Sequence, residues 1–146
     1  MIELWKSWPS IKSKPVTMEF EIPTNRTHKF WDYLEAGEFR TTRCNSCGTL
    51  TFPPVADCVN CTDSDIEWVE LDGRGEVAAF THVIVRPTSF QERPPYTIVI
   101  ADLTDGLKIL AWIEGSEMTE VEVGMKVQLK AGKTVDGEPS YWFVPE

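Results

Sequence analysis

Cys44-Asn-Ser-Cys47-Gly48 and, ten residues further on, Cys58-Val-Asn-Cys61 contain all four cysteines of the chain. Each Cys-x-x-Cys pair offers two thiolates from one tight turn, and two such turns complete a tetrahedral four-sulfur site. Gly48 follows the first pair, where the chain must bend past the sulfurs and a positive φ is convenient. Thr62 holds the matching place after the second pair, so the second turn is expected to be the less comfortable one. The stretch reads as a rubredoxin-like zinc ribbon with Cys44, Cys47, Cys58 and Cys61 as ligands and zinc as the cofactor. Iron uses the same ligand set and stays open as an alternative. Four protein ligands leave no vacant position, so the expected role of the metal is structural.

Other uses of the cysteines fit less well. The opening residues Met1-Ile-Glu-Leu-Trp-Lys6 lack the apolar run and small-residue cleavage site of a secretory leader. The expected setting is therefore the cytoplasm, where disulfides are rare. A redox Cys-x-x-Cys needs only one pair, beside a βαβ pattern that this sequence does not show.

The ribbon divides 146 residues into a front and a back part. The expected units are an N-terminal arm and helix over 1–37, the ribbon over 38–72 and a barrel over 73–146. In the arm, Pro9, Pro15 and Pro23 break any sustained period, and Trp5 and Trp8 pack on the arm's own domain or dock another subunit. Thr24 to Ala36 reads as a short helix, with Thr24, Asn25 and Thr27 as competing N-caps and Gly37 as its stop. Phe30, Trp31 and Leu34 form a narrow apolar stripe that must lean on something, because a helix this short is marginal alone. Phe30, Trp31 and Tyr33 are candidates for packing or for an apolar groove. Arg40 and Arg43 stand close enough in sequence to soften the negative charge of a thiolate site.

Beyond Asp72-Gly-Arg-Gly75 the apolar period becomes two and stays there. In the first long strand, Val77, Ala79, Thr81, Val83 and Val85 are expected on one face, with Phe80, His82 and Ile84 on the other. A proline-rich loop from Arg86 to Pro95 follows. Tyr96 to Leu103 is apolar on both faces and reads as buried on both. Thr104-Asp105-Gly106 is a hairpin turn, after which Leu107, Ile109, Ala111 and Ile113 face inward. Gly115 to Val123 is a polar connection with one helical turn, and Val127–Lys130 and Tyr141–Val144 are the last two strands. The expected class is therefore mainly β with a short N-terminal helical segment: a zinc ribbon followed by a five-stranded OB-fold barrel, with an open five-stranded sheet as the alternative.

Composition narrows the function. The formal net charge is −9, divided as −5 up to Asp72 and −4 beyond it. A chain this acidic is a poor binder of phosphate backbones, and nucleic acid is not an expected partner. No apolar run is long enough to span a membrane. No catalytic set is read: His28 and His82 stand alone, no serine lies in a Gly-x-Ser-x-Gly context, and the glycines around Arg74 lack a dinucleotide-binding setting.

The ordered set Phe30-Trp31, Leu34-Glu-Ala-Gly37, Arg43-Cys44-x-x-Cys47-Gly48, Phe52-Pro-Pro54, Cys58-x-x-Cys61, Trp68, Gly73-Arg-Gly75, Pro95-Tyr96 and Gly124 resembles the DUF35 family of acyl-CoA-associated zinc-ribbon/OB-fold proteins. The resemblance runs from about Thr24 to Val144. Val59 and Thr62 depart from the family's usual Pro and Gly, which touches the turn and not the ligands. The resemblance implies a non-catalytic scaffold partnered with a thiolase-superfamily enzyme, a hydroxymethylglutaryl-CoA (HMG-CoA) synthase or an acyl-CoA hydratase, and in archaeal relatives a bridge between thiolase and synthase. On that reading Arg86 and Arg93 are candidates for neutralising CoA phosphates, with Arg74 and Lys108 as lesser ones. A single-stranded nucleic-acid-binding protein, with Trp112 beside Lys108 as a stacking site, is the alternative. Turnover of acyl-CoA by the isolated chain is a third reading.

Overall fold

The computed structural model describes residues 26–146 apart from Glu92. The tryptophan arm and the N-cap candidates Thr24 and Asn25 lie outside the described residues. The elements are a helix α1 (Lys29–Glu35), a three-stranded ribbon sheet of β1 (Arg40–Cys44), β2 (Leu50–Thr51) and β3 (Ile66–Glu70), and five longer strands. These are β4 (Arg74–Val83), β5 (Tyr96–Leu103), β6 (Lys108–Ile113), β7 (Lys126–Lys133) and β8 (Pro139–Pro145). Short 3-10 turns over Thr88–Phe90 and Met118–Glu120 lie in the two long connections.

The helix is shorter than its sequence pattern. It starts at an N-cap of His28, which makes no side-chain cap bond, and not at Thr27. Its end is well determined. Gly37, at φ +80°, donates its N–H to Leu34, and Glu38 donates to Tyr33 at 2.8 Å. These are the paired bonds of a Schellman motif, which places the glycine where a Cβ is unwelcome. Leu34 is fully buried and Phe30 nearly so, while Trp31 is half exposed. The apolar stripe therefore leans on β7 and β8 of the barrel through two residues, and the third faces outward.

Both alternations and turns build the barrel. It is closed in the order β4-β5-β6-β8-β7 and antiparallel except between β6 and β8. Thr104-Asp105-Gly106 turns β5 into β6: Gly106 donates to Leu103 and Leu103 to Leu107. Asp136-Gly137 joins β7 to β8 in the same way, with Gly137 donating to Thr134 and Thr134 to Glu138. Val77, Val99, Ile109, Val127 and Phe143 fill the interior and have no solvent contact to speak of. One apolar cluster continues from these through Leu71 and Phe39 to Phe30 and Leu34, so helix, ribbon and barrel share a core.

Two expectations about faces are corrected. A β-bulge between Val77 and Ala79 adds a residue to β4, and an extra residue reverses every later side chain. Val77 pairs with buried Ala101, but Phe80 and His82 then pair with buried Val99 and Thr97, while Ala79 and Thr81 take the opposite face; Phe80 itself stays exposed at this end of the strand. His82 donates or accepts a 2.8 Å bond with the Thr97 hydroxyl on this inner side. The second correction concerns β5. Thr97, Val99, Ala101 and Leu103 are buried, but Ile98 and Ile100 on its other face are only half covered.

Candidate metal centre and its surroundings

The two cysteine turns are near copies of each other. Gly48 donates its N–H to the Cys44 carbonyl at 2.8 Å, and Thr62 donates to the Cys58 carbonyl at 2.9 Å. Both hinge residues have positive φ, +74° at Gly48 and +62° at Thr62. A β-branched residue in that region is strained. The turns are tied together by Asn45 to Asp65 (2.9 Å) and Ser46 to Asp63 (2.5 Å). In β1 the buried hydroxyls are used as well: Thr41 donates to the Thr51 carbonyl, and Thr42 accepts from the Val55 N–H at 3.0 Å.

These constraints gather the four sulfurs within 4.8 Å of one another. Across the turns, Cys44 and Cys61 stand 3.5 Å apart, as do Cys47 and Cys58. A tetrahedron with metal–sulfur bonds of about 2.3 Å has edges of about 3.8 Å, so the donor set fits a metal ion. The protons show the same crowding. Cys47 is pulled down to about 6, first by the Thr49 hydroxyl and then by the Thr49 N–H. Cys58 is lowered by the backbone N–H groups of Cys61 and Asn60. At Cys61 the Asp63 N–H favours the thiolate, but the neighbouring sulfurs of Cys44 and Cys47 outweigh it and push the thiol up to about 12. Sulfurs this close do not all ionise without a cation between them.

The other expected site residues fall into three separate places. The arginines of the ribbon do not face the sulfurs: Arg43 binds Glu67 across β1 and β3 through two nitrogens at 2.8 and 2.9 Å, and Arg40 holds Glu38 at 2.7 Å. Tyr33 is sandwiched by Trp68, 5.3 Å away, and the Arg40 guanidinium at 4.9 Å. Phe30 sits inside an aromatic cluster with Phe39, Phe52 and Tyr141 at centroid distances of 5.8, 6.0 and 6.2 Å. Trp31 is the most exposed of the three, beside a cleft of about 330 Å³ that it lines together with Phe30, Pro53, Pro54 and Tyr141.

The cations of the barrel are split between its ends. Arg74 pairs with Asp72 at 3.3 Å, and Lys108 pairs with Asp102, both at the Leu103 end of β5. Arg86 and Arg93 meet on the loop that enters β5 at Tyr96. Arg86 donates to the Arg93 carbonyl, and its Nε is buried without a partner among the described residues. Arg93 binds Asp136 at 2.6 Å and lies 5.6 Å over the rings of both Phe90 and Trp112. Tyr96 stacks on Trp112 at 4.4 Å and 20°. This aromatic shelf under Arg93 has no local signature in the sequence. Its members are scattered over 23 residues (90–112), and only the pairing of Ile98 with Trp112 brings Tyr96 beside the indole.

A four-sulfur ribbon running into an OB-type barrel defines a zinc-ribbon/OB-fold class of protein. Within it, residues 31–67 match the family model described as ChsH2, rubredoxin-like zinc ribbon domain, and residues 68–131 match ChsH2, C-terminal OB-fold domain. The chain belongs to the DUF35 family. It is similar to a DUF35 domain-containing scaffold protein of Methanocaldococcus jannaschii, 34% identical over 59% of this chain and 62% of the relative. A probable enoyl-CoA hydratase alpha subunit of Thermomonospora curvata is 30% identical over 85% of this chain and 39% of the relative. The benzoylsuccinyl-CoA thiolase subunit BbsA of Thauera aromatica is 32% identical over 51% of this chain and 50% of its own length. The chain thus spans less than two thirds of these relatives. Among solved structures, a chain of the Ltp2-ChsH2(DUF35) aldolase superposes with a TM-score of 0.72 at 27% identity, over 86% of this chain and 98% of that one. No helix among the described residues is long and apolar enough to cross a membrane.

Proposed function

We propose that this chain is a non-catalytic accessory protein that docks on an acyl-CoA enzyme of the thiolase superfamily, with an HMG-CoA synthase or an acyl-CoA hydratase subunit as the next partners in line. One zinc ion, held by Cys44, Cys47, Cys58 and Cys61, fixes the ribbon and takes no part in chemistry. The observation that carries the reading is the superposition on nearly the whole of one chain of the Ltp2-ChsH2(DUF35) aldolase. The metal site supports it, because four sulfurs at tetrahedral spacing leave no open position for a substrate. Zinc is favoured over iron as the usual occupant of an all-thiolate structural site. Trp31, presented beside Pro53 and Pro54, supplies an aromatic anchor for the partner. Arg93, with Arg86 behind it, stands over an aromatic shelf and is the candidate cation for a CoA phosphate, which it would meet by exchanging its Asp136 partner. The acidic chain and four cysteines kept reduced as metal ligands suit a cytoplasmic complex.

Nucleic-acid binding is less well supported. The Trp112 face that would stack on a base is covered by Tyr96, and Lys108 is held by Asp102. The test is reconstitution. The metal-loaded chain alone is expected to turn over no acyl-CoA, and to raise the activity or the yield of a thiolase-superfamily or hydratase subunit expressed with it. Turnover by the repurified chain alone would overturn the reading.

A further inference from the structure

The barrel closes through a single bridge. Between β6 and β8 the only register pair is Ile113 with Phe143, with the Glu114 N–H donating to the Phe143 carbonyl at 2.8 Å. Every other neighbouring pair of barrel strands is joined by at least three register pairs. Before the bridge the two strands diverge around a cleft of about 440 Å³ lined by Leu110, Ala111, Trp112, Ser140, Tyr141 and Trp142 together with side chains of the β7–β8 turn.

The hairpins fix which backbone groups face that cleft. In an antiparallel ladder, hydrogen-bonded and non-bonded pairs alternate, so each residue directs its N–H and C=O to one side only. Leu103 donates to Leu107 at the turn, which makes Ala101/Ile109, Val99/Ala111 and Thr97/Ile113 the bonded pairs. Lys108, Leu110 and Trp112 then direct their backbone groups away from β5, toward β8. On the other side Thr134 donates to Glu138, which makes Gly132/Ser140 and Lys130/Trp142 the bonded pairs and turns Tyr141 toward β6. The Glu114–Phe143 bond fits both parities. The cleft is therefore edged by the N–H and C=O of Leu110, the N–H of Trp112, and the N–H and C=O of Tyr141, at strand spacing. Unpaired edges of this kind are templates for another strand.

We propose that this opening between β6 and β8 receives an extended segment of the partner enzyme subunit by β-strand addition. The inference rests on the docking reading above and names the surface it uses. The occupant's chemistry follows from the edge. A row of alternating backbone donors and acceptors is matched by an extended backbone. Leu110 and Val135 lie exposed at the rim, so alternate residues of the segment are apolar. Glu114 is exposed at the closed end and has no ion pair among the described residues, whereas Lys133 is held by Glu35 and Arg93 by Asp136. The segment therefore carries a lysine or arginine at the end that reaches Glu114. A second copy of this chain fits poorly, since it would bring another net charge of −9 against the first.

Amide hydrogen exchange read residue by residue, on the full-length metal-loaded chain alone and in its complex with the co-expressed thiolase-superfamily or hydratase subunit, tests this. In the free chain the amides of Leu110, Trp112 and Tyr141 should exchange quickly while those of Ile109, Ala111 and Ile113 are protected. In the complex the first three should slow by about tenfold or more. The variant Leu110→Pro deletes an N–H that the barrel itself does not use, as prolines at sheet edges do. It should keep the chain's melting temperature and weaken the complex at least about tenfold. An intact complex with those amides unchanged overturns the inference and leaves the docking reading standing. Protection already present in the free chain overturns it in favour of a self-covered edge, or of a second copy when it grows with concentration. If no complex forms, the docking reading falls and this inference with it.

Discussion

Gly48 permits the sharpest test of how the ribbon grips its metal. It has φ +74°, and a Cβ built there meets nothing within 4 Å. Gly48→Ala therefore adds no clash, and its cost is the backbone strain alone, about 1–2 kcal/mol for an L-residue in the left-handed region. The ribbon lacks a core of its own size, and in such units metal binding and folding are one free energy. The strain should thus appear as metal affinity, weaker by roughly 5- to 30-fold at 1.4 kcal/mol per decade. The twin turn provides the reciprocal experiment. Thr62 sits at φ +62° with its hydroxyl on the Cys61 carbonyl at 2.7 Å. Thr62→Gly removes the strain and loses that bond, worth about 1 kcal/mol, so affinity should change by no more than a few-fold. Competition against a chelator of known affinity reads both. Equal, large losses at Gly48→Ala and Thr62→Gly would refute the reasoning, because they would mean that the side chains and not the backbone hold the turns.

Three further outcomes follow from the same contacts. Chelation should abolish the ordered signals of residues in β1–β3 while methyl signals of Val99, Ile109 and Val127 stay native, because these three residues lie on the barrel strands β5, β6 and β7, which pair with one another and with β4 and β8 and not with the ribbon; loss of both sets at one chelator concentration would show that the shared core makes a single cooperative unit and displace the expected boundary at residue 72. Phe30→Ala should cost about 3–5 kcal/mol in a denaturant melt, since the ring is buried against Phe39, Phe52 and Tyr141; a cost under about 1 kcal/mol would mean the helix does not share the core. In the metal-free chain the Cys47 thiol lies below its ordinary value, at about 6, so the stability its thiolate brings is complete above the unfolded value of 9.0 and is lost as pH falls through 6; thiolate absorbance of the metal-free chain should show one cysteine titrating near 6, and none ionising below 9.0 would contradict the hydrogen bonds of Thr49.

The parts of the fold visible in the sequence are those with local causes. Two Cys-x-x-Cys turns, the glycine stop at Gly37 and the Asp-Gly turns at 105–106 and 136–137 each act within a few residues, and the period of two carried the five barrel strands. What stayed hidden depends on contacts between distant residues. The bulge after Val77 follows no local signal in Val77-Ala-Ala-Phe80, yet it exchanges the inner and outer faces of the rest of β4. Tyr33 and Arg40 are seven residues apart in sequence with no pattern linking them, yet the ribbon folds them onto each other. Arg43 looked free to balance the sulfurs until β3 brought Glu67 opposite it. The shelf of Phe90, Tyr96 and Trp112 exists only once β5 and β6 are in register. The four sulfurs were legible as a set; which ones stand opposite was not, because Cys44 faces Cys61 and Cys47 faces Cys58 across turns that the spacing alone does not orient.

The central claim is that one metal-bearing chain serves as a subunit and not as an enzyme on its own. Native mass spectrometry of the tagged chain, isolated gently from the cells that make it, tests that most directly. The expected species is a complex whose mass is this chain with one bound zinc ion plus an acyl-CoA enzyme subunit, and a dissociated chain that keeps its zinc. A solitary chain that turns over acyl-CoA, or a complex whose partner is nucleic acid, would contradict it.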